Sequence, residues 1–247
     1  MEWTDEAIVL AVRPYGEHGG VLEALTRHHG RHLGLMRSAG SRRMRGVLEA
    51  GNLLNVHWRA RIDQQLGSYT AELTAARAAH FFDDRAKLDG LASACAMCVA
   101  TLPERENHER VYEAFDGLLQ HMVLEPSLSW LASYVRFEMV LLEDLGFGLD
   151  LTNCAVTGET RDLAFVSPKS GRAVTAAGAG SYAHRLLRLP AFLLGNAGEP
   201  SVKDVQDGLE LTGHFLERVI SEAKGGAKSP GFPEARFRFS QRVRALD

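Results

Sequence analysis

Six arginines fall between residues 37 and 61 against one acid, Glu49: Arg37, Arg42, Arg43, Arg45, Arg59 and Arg61. The first four sit in Arg-Ser-Ala-Gly-Ser-Arg-Arg-Met-Arg-Gly, a stretch whose Gly and Ser content reads as a loop. A guanidinium stays charged at any physiological pH, and its planar fork donates two parallel hydrogen bonds to a phosphate. Such a loop between short β-runs predicts a grip on a polyanion, with nucleic acid as the fitting one. A second run, Arg236, Arg238, Arg242 and Arg244, surrounds Phe237 and Phe239. Alternating arginine and phenyl groups suit base stacking combined with phosphate neutralisation. The competing role for the same residues is a tail docked by its phenyl rings with the arginines outward.

The remaining reactive side chains point away from catalysis. Cys95-Ala-Met-Cys98 lies inside a helical apolar stripe and has no second pair to complete a metal site, so it reads as core packing. His28, His29 and His32, with His18, fall on a hairpin without neighbouring carboxylates or cysteines and read as surface or DNA-facing. His108-Glu109 is not followed by a second histidine at metalloprotease spacing. The chain has no G-x-x-x-x-G-K-[ST] phosphate loop and no nucleophile–base pair at a recognisable motif. The expectation is a protein that is not an enzyme and needs no cofactor or metal. Two alternatives stay open: a helical protein–protein adaptor that never touches DNA, and a hydrolase or oxidoreductase using residues 146–180.

The elements that position the arginines change character near residue 80. Before it, Glu6–Tyr15, Val21–Thr26, Leu33–Met36, Leu53–Trp58 and Leu66–Leu73 read as strands, the first with Ile8, Leu10 and Val12 on one face. Turn signals about every ten residues predict a small barrel, oligonucleotide-binding (OB-fold) or SH3-like. After it, Lys87–Leu102, Glu106–Leu124 and Leu128–Leu145 carry helical periodicity; Ser127 is the expected cap of the third and Gly146 its stop. Pro200-Ser-Val-Lys-Asp204 opens a helix to about Ala223, with Ser201 and Asp204 spaced as a capping box. Residues 146–180 match neither period and read as an irregular insert. Residues 224–231 read as a flexible linker into a basic tail, 224–247. The fold class is therefore α+β: a barrel over 1–80 and a mostly α-helical domain over 81–247.

Net charge is −3 over 247 residues, which excludes a uniformly basic DNA-coating protein. The charge is unevenly distributed. Residues 1–80 hold ten Lys/Arg against eight Asp/Glu, residues 81–220 twelve against twenty, and residues 221–247 six against three. Nucleic-acid contact by part of the surface fits this pattern. The acidic opening and the lack of any long apolar run predict a soluble, cytoplasmic protein without membrane contact. Three cysteines at these spacings do not make a disulfide framework.

The order of features resembles the RecO family of bacterial recombination mediators. The resemblance rests on Ala7-Ile-Val-Leu-Ala-Val-Arg-Pro-Tyr-Gly-Glu17, the arginine stretch 37–46, Arg136-Phe-Glu138 with Leu145-Gly-Phe-Gly148, and Leu151–Gly158. It implies an OB-fold barrel followed by a helical domain. It also implies binding to single- and double-stranded DNA and annealing of complementary strands. With the partner RecR, it implies loading of RecA onto strands coated by single-stranded DNA-binding protein (SSB). Arg136 would receive the acidic, Phe-ending SSB tail. Many members resemble a four-cysteine zinc module after the third helix. This chain keeps Cys154 alone there, with Thr157 at the next ligand spacing, so the insert resembles a degenerate zinc module.

Overall fold

The computed structural model describes residues 1–62, 65–125, 127–195, 198–223 and 232–246. The whole of the linker expected at 224–231 and Pro126 therefore lie outside the described residues. The chain divides into two compact units, Met1–Pro126 and Ser127–Asp247, so the first two long helices group with the barrel instead of starting a new unit at residue 81.

In the first unit, β1 (Glu2–Tyr15), β2 (Gly19–Thr26), β3 (Gly30–Met36), β4 (Leu53–Arg59) and β5 (Ser68–Ala75) close into a barrel of order β1-β2-β3-β5-β4. This is the five-stranded OB arrangement, and an SH3-like barrel is not formed. Strand alternation fills the interior with Ala7, Val9, Leu22, Ala24, Leu54, Val56, Trp58 and Tyr69. The expected single face of Ile8, Leu10 and Val12 is broken by an irregularity in register between Val9 and Ala11. A one-residue bulge flips the alternation. Val12 thus packs on the interior cluster, while Ile8 and Leu10 are buried outside it. β1 is the strand that α2 (Arg85–Thr101) packs against.

The stretch 37–46, expected as a loop, contains a short helix, α1 (Arg42–Val47), capped by the Ser41 hydroxyl accepting from the Met44 amide at 3.3 Å. Six residues are too few to show a helical period, and Gly46 masks the signal. Met44 and Val47 rest on the barrel core, which turns Arg42, Arg43 and Arg45 outward. Asn52, buried, fixes the exit: its amide donates to the Gly46 and Val47 carbonyls, and its carbonyl accepts from the Ala78 amide. α3 (Glu109–Leu124) completes the unit. Cys95 and Cys98 are buried on α2, and burial pushes the Cys95 thiol up to about 12, as expected for cysteines that serve packing.

The second unit is built on α4 (Trp130–Asp144), α6 (Val202–Ala223) and α7 (Glu234–Arg244). α4 starts two residues later than expected, with Ser129 at its cap position and no side-chain capping bond. Gly146 stops it as expected: at φ +82°, it donates to the Glu143 carbonyl while Phe147 donates to Leu142. The Ser201–Asp204 capping box forms in both directions, at 3.1 and 2.9 Å. The region expected to be irregular carries β6 (Leu163–Val166) and β7 (Ala173–Thr175), joined by β8 (Leu187–Arg188) into a small sheet of order β7-β6-β8, with α5 (Ala176–Ala179) following β7. Strands of two to four residues are too short to leave a period in the sequence.

α7 corrects the reading of the basic tail. Arg236 is 1% exposed and clamps Glu138, itself fully buried, through Nε–Oε1 at 2.6 Å and Nη2–Oε2 at 2.9 Å. It also donates to the Leu209 carbonyl and the Ser240 hydroxyl, and Thr212 donates to Glu138 at 2.5 Å. Burial works against the guanidinium charge, and Glu138 outweighs it, holding Arg236 firmly protonated. This side chain bolts α7 to α4 and α6 and is not presented to DNA. Removing one partner strands a buried charge, so Arg236→Ala is expected to cost about 3–5 kcal/mol of stability. Arg238→Ala, on the exposed side of the same helix, should cost less than about 0.5 kcal/mol. Urea unfolding of the two variants checks this; equal losses would contradict it.

Candidate nucleic-acid interface

The barrel brings together arginines that the sequence separates. Ser68, which opens β5, stands opposite Leu35 of β3 on one side and opposite Arg59 of β4 on the other. Two strand spacings put Arg59 about 10 Å from Leu35. Arg37 follows Leu35 by two residues; because β3 and β5 run parallel, Arg37 leaves one end of the barrel and Arg59 the other, with the staggered β3–β5 seam between them. The segment after β3 is tied to the β1–β2 turn by the Gly40 amide donating to His18 at 2.9 Å. Arg45 donates twice to the Gly40 carbonyl, at 3.2 Å each, which fixes α1 beside that turn. Arg59 and Arg61 line an open cleft with Met1, Glu2 and Ala60.

All six side chains, Arg37, Arg42, Arg43, Arg45, Arg59 and Arg61, are exposed. None of them enters an ion pair among the described residues. Elsewhere in this unit arginines are engaged by acids: Arg13 and Arg31 by Glu23, Arg77 by Asp116, and Arg27 by Glu6, Glu109 and Glu113. The contrast separates guanidinium groups that hold the unit together from those that meet no acid among the described residues. It also locates the candidate surface. OB barrels commonly use the outer face of strands 2 and 3. Here that face is occupied: Glu23 is 1% exposed beneath Arg13 and Arg31, and Arg31 also donates to the Leu102 carbonyl. The free cationic surface of this unit runs along the β3–β5 seam, from α1 and the segment leading into it to Arg59 and Arg61.

The histidines correct another expectation. A carboxylate does stand beside them: Asp5 on β1, which sequence distance hides. It accepts from the His28 amide at 2.8 Å and from the His28 and His29 imidazoles at 2.9 Å each. Burial pushes the Asp5 carboxyl up, and these hydrogen bonds outweigh it, leaving it below its ordinary value. His29 stacks on Trp3 at 4.0 Å, and His32 is buried against the Tyr69 hydroxyl at 3.1 Å. The cluster therefore pins β1 to the β2–β3 hairpin.

In the second unit, Arg136 is exposed on α4, 5.2 Å above the ring of buried Phe192. Leu131, Val135 and Leu142 of the same helix are core. On α7, Arg238 is exposed and paired with Glu234, Arg242 is half-buried, and Arg244 is exposed beside Phe232 and Phe237. Phe239 is buried and Phe237 exposed, so only one ring docks the tail.

Comparisons with known proteins cover both units. The family model described as Recombination protein O N terminal matches residues 1–77, and that described as Recombination protein O C terminal matches 83–226. A Cereibacter sphaeroides protein named DNA repair protein RecO is 45% identical over 244 residues, covering 98% of each chain. Proteins of the same name are 44% identical in Rhodospirillum rubrum, over 99% of this chain and 97% of that one, and 46% in Methylocella silvestris, over 96% and 93%. No helix among the described residues is long and apolar enough to cross a membrane.

The insert does not fit a zinc ion. Among the described residues no group of three or more His, Cys, Asp or Glu side chains converges, and zinc needs four N or S ligands. Cys154 instead accepts from backbone amides: Thr175 at 3.3 Å, Thr157 at 3.4 Å and Val156 at 3.5 Å. Burial raises the thiol, and hydrogen bonding from Thr157 and Thr175 outweighs it, leaving Cys154 at about 6. A group whose folded value is depressed stabilises the fold above its unfolded value, near pH 8.5, and loses that contribution as pH falls through about 6. Cys154→Ala should therefore destabilise the protein more at alkaline pH than below pH 6. Thermal melting across pH checks this; a deficit independent of pH would contradict it.

Proposed function

Because the chain belongs to the RecO family, whose two models span nearly all of it, we propose that it is a non-enzymatic mediator of DNA recombination in repair. It binds single- and double-stranded DNA and anneals complementary strands, and with RecR it assists loading of RecA onto SSB-coated strands. One observation carries the reading: six exposed arginines, with no acidic partner among the described residues, spread along the β3–β5 seam of a nucleic-acid-binding type of barrel. Phosphate neutralisation by these groups releases counterions, so affinity falls steeply with salt. Contacts to phosphate position a protein without reading bases, so sequence preference is slight. Two strands held on one cationic surface repel each other less, and annealing accelerates without covalent chemistry. Arg238, Arg242 and Arg244 add a secondary cationic contact, while Arg236 is withdrawn from the set.

Arg136 supports the SSB part of the reading. An exposed guanidinium over an aromatic ring offers one charge and one apolar surface, which suits a terminal carboxylate next to a phenylalanine.

Two measurements test the proposal. Annealing of complementary labelled strands, without ATP or metal, is compared between wild type and Arg42→Ala/Arg43→Ala/Arg45→Ala across a salt series. The variant is expected to anneal more slowly, with its single-strand salt slope shallower by about 2, as three lost phosphate contacts require. Equal behaviour removes α1 from the grip, and failure of both proteins to bind DNA favours the adaptor alternative. Arg136→Ala is expected to weaken binding of an SSB tail peptide about tenfold, by the loss of one charge-assisted contact. A peptide bound as tightly as by wild type would remove Arg136 from that role.

A further inference from the structure

Arg105 stands outside every motif above, yet its backbone is held at φ +67°, a left-handed conformation that non-glycine residues rarely adopt. It lies in the connection between α2 and α3, which runs as a strap along β3. Glu104 forms a parallel bridge with Arg31, the Arg105 amide donates to the Arg31 carbonyl at 2.8 Å, and Arg31 returns a bond to the Leu102 carbonyl at 2.7 Å. The strap presses so closely that a Cβ on Gly30 would lie 1.6 Å from the Glu106 carbonyl oxygen.

From this strap the Arg105 side chain reaches the β4–β5 connection. Its Nη2 donates to the Gln65 carbonyl at 2.7 Å, and its guanidinium lies 5.9 Å from the Trp58 ring centre. The next two carbonyls of the same connection are also held: Leu66 by the Trp58 indole at 3.0 Å and Gly67 by the Leu35 amide at 3.0 Å. Three consecutive carbonyls are thus bonded to three different elements. Two of the donors belong to the barrel strands themselves, and only Arg105 comes from outside the barrel. A residue kept in a costly backbone conformation points to a task for its side chain.

We propose that Arg105 is a positioning residue for the DNA grip. By latching the β4–β5 connection to the α2–α3 strap, it holds Arg59 and Arg61 in one surface with Arg37. This rests on the barrel reading given above and adds a residue that acts through the arginines without itself replacing one.

The test is a double-mutant cycle on binding of a labelled oligothymidylate strand, with hydrogen exchange measured on the free protein. Arg105→Asn suits it, because asparagine accepts the left-handed backbone and cannot reach Gln65. The variant is expected to melt as wild type does, to exchange faster at amides 65–68, and to bind the strand about three- to tenfold more weakly. In an Arg59→Ala/Arg61→Ala background the same substitution should change affinity less than about twofold, because coupled residues are not additive. In the Arg42→Ala/Arg43→Ala/Arg45→Ala background it should keep its full effect. Full additivity with Arg59→Ala/Arg61→Ala would mean that Arg105 meets phosphate directly and would overturn the proposal, as would wild-type affinity of Arg105→Asn. Unchanged affinity of Arg59→Ala/Arg61→Ala alone would instead bring down the barrel reading, and the positioning role with it.

Discussion

A five-stranded barrel closes only if its last seam is bonded, and here the seam between β3 and β5 has a single ladder pair, Leu35 opposite Ser68. Around that pair the chain gathers its substitutes: the Leu35 amide on Gly67, the Trp58 indole on Leu66 and Arg105 on Gln65. Gly67 packs flush on the Trp58 ring, at φ +65°, where any Cβ would lie 2.4 Å from the indole. The arginines proposed to meet DNA border this seam. Arg37 leaves β3 just beyond it, and Arg59 ends the strand next to β5. The proposed DNA-binding surface is therefore only as ordered as the seam is closed.

Burial sorts the arginines into two kinds of work. Where a glutamate is buried, a guanidinium is drawn to it, because an unpaired buried charge costs far more than the pair; buried Asp5 is met instead by two imidazoles. Glu23 takes Arg13 and Arg31, and Glu138 takes Arg236. Along the β3–β5 seam these arginines meet no acid among the described residues and stay in solvent, with Arg45 giving two of its donors to the Gly40 carbonyl. The uneven charge of the sequence is resolved at this level: acids elsewhere occupy the cations near them and leave this surface positive.

Much of this was legible in the residues. Alternation and turn spacing marked all five barrel strands, the capping box marked the start of α6, and Gly146 marked the end of α4. The arginine cluster stood out by composition alone. What escaped has a common cause: it depends on partners distant in sequence or on elements shorter than one period. The bulge near Leu10 inverted the faces of β1, and six-residue α1 looked like a loop. Asp5 is separated from His28 by more than twenty residues, so its hold on the histidine pair could not be seen in the hairpin. Arg236 looked like its neighbours in the tail, and only the fold brings Glu138 to it. Arg105 had no sequence signal, since neither its left-handed backbone nor its bond to a main-chain carbonyl leaves a pattern.

The claim on which the account turns is that DNA lies along the β3–β5 seam of the barrel. Arginine-selective chemical modification read by mass spectrometry, with and without a bound single strand, tests it most directly. The account predicts protection of Arg37, Arg42, Arg43, Arg45, Arg59 and Arg61 when DNA is bound. Protection confined to Arg238 and Arg244, with the barrel arginines as reactive as in the free protein, would contradict it.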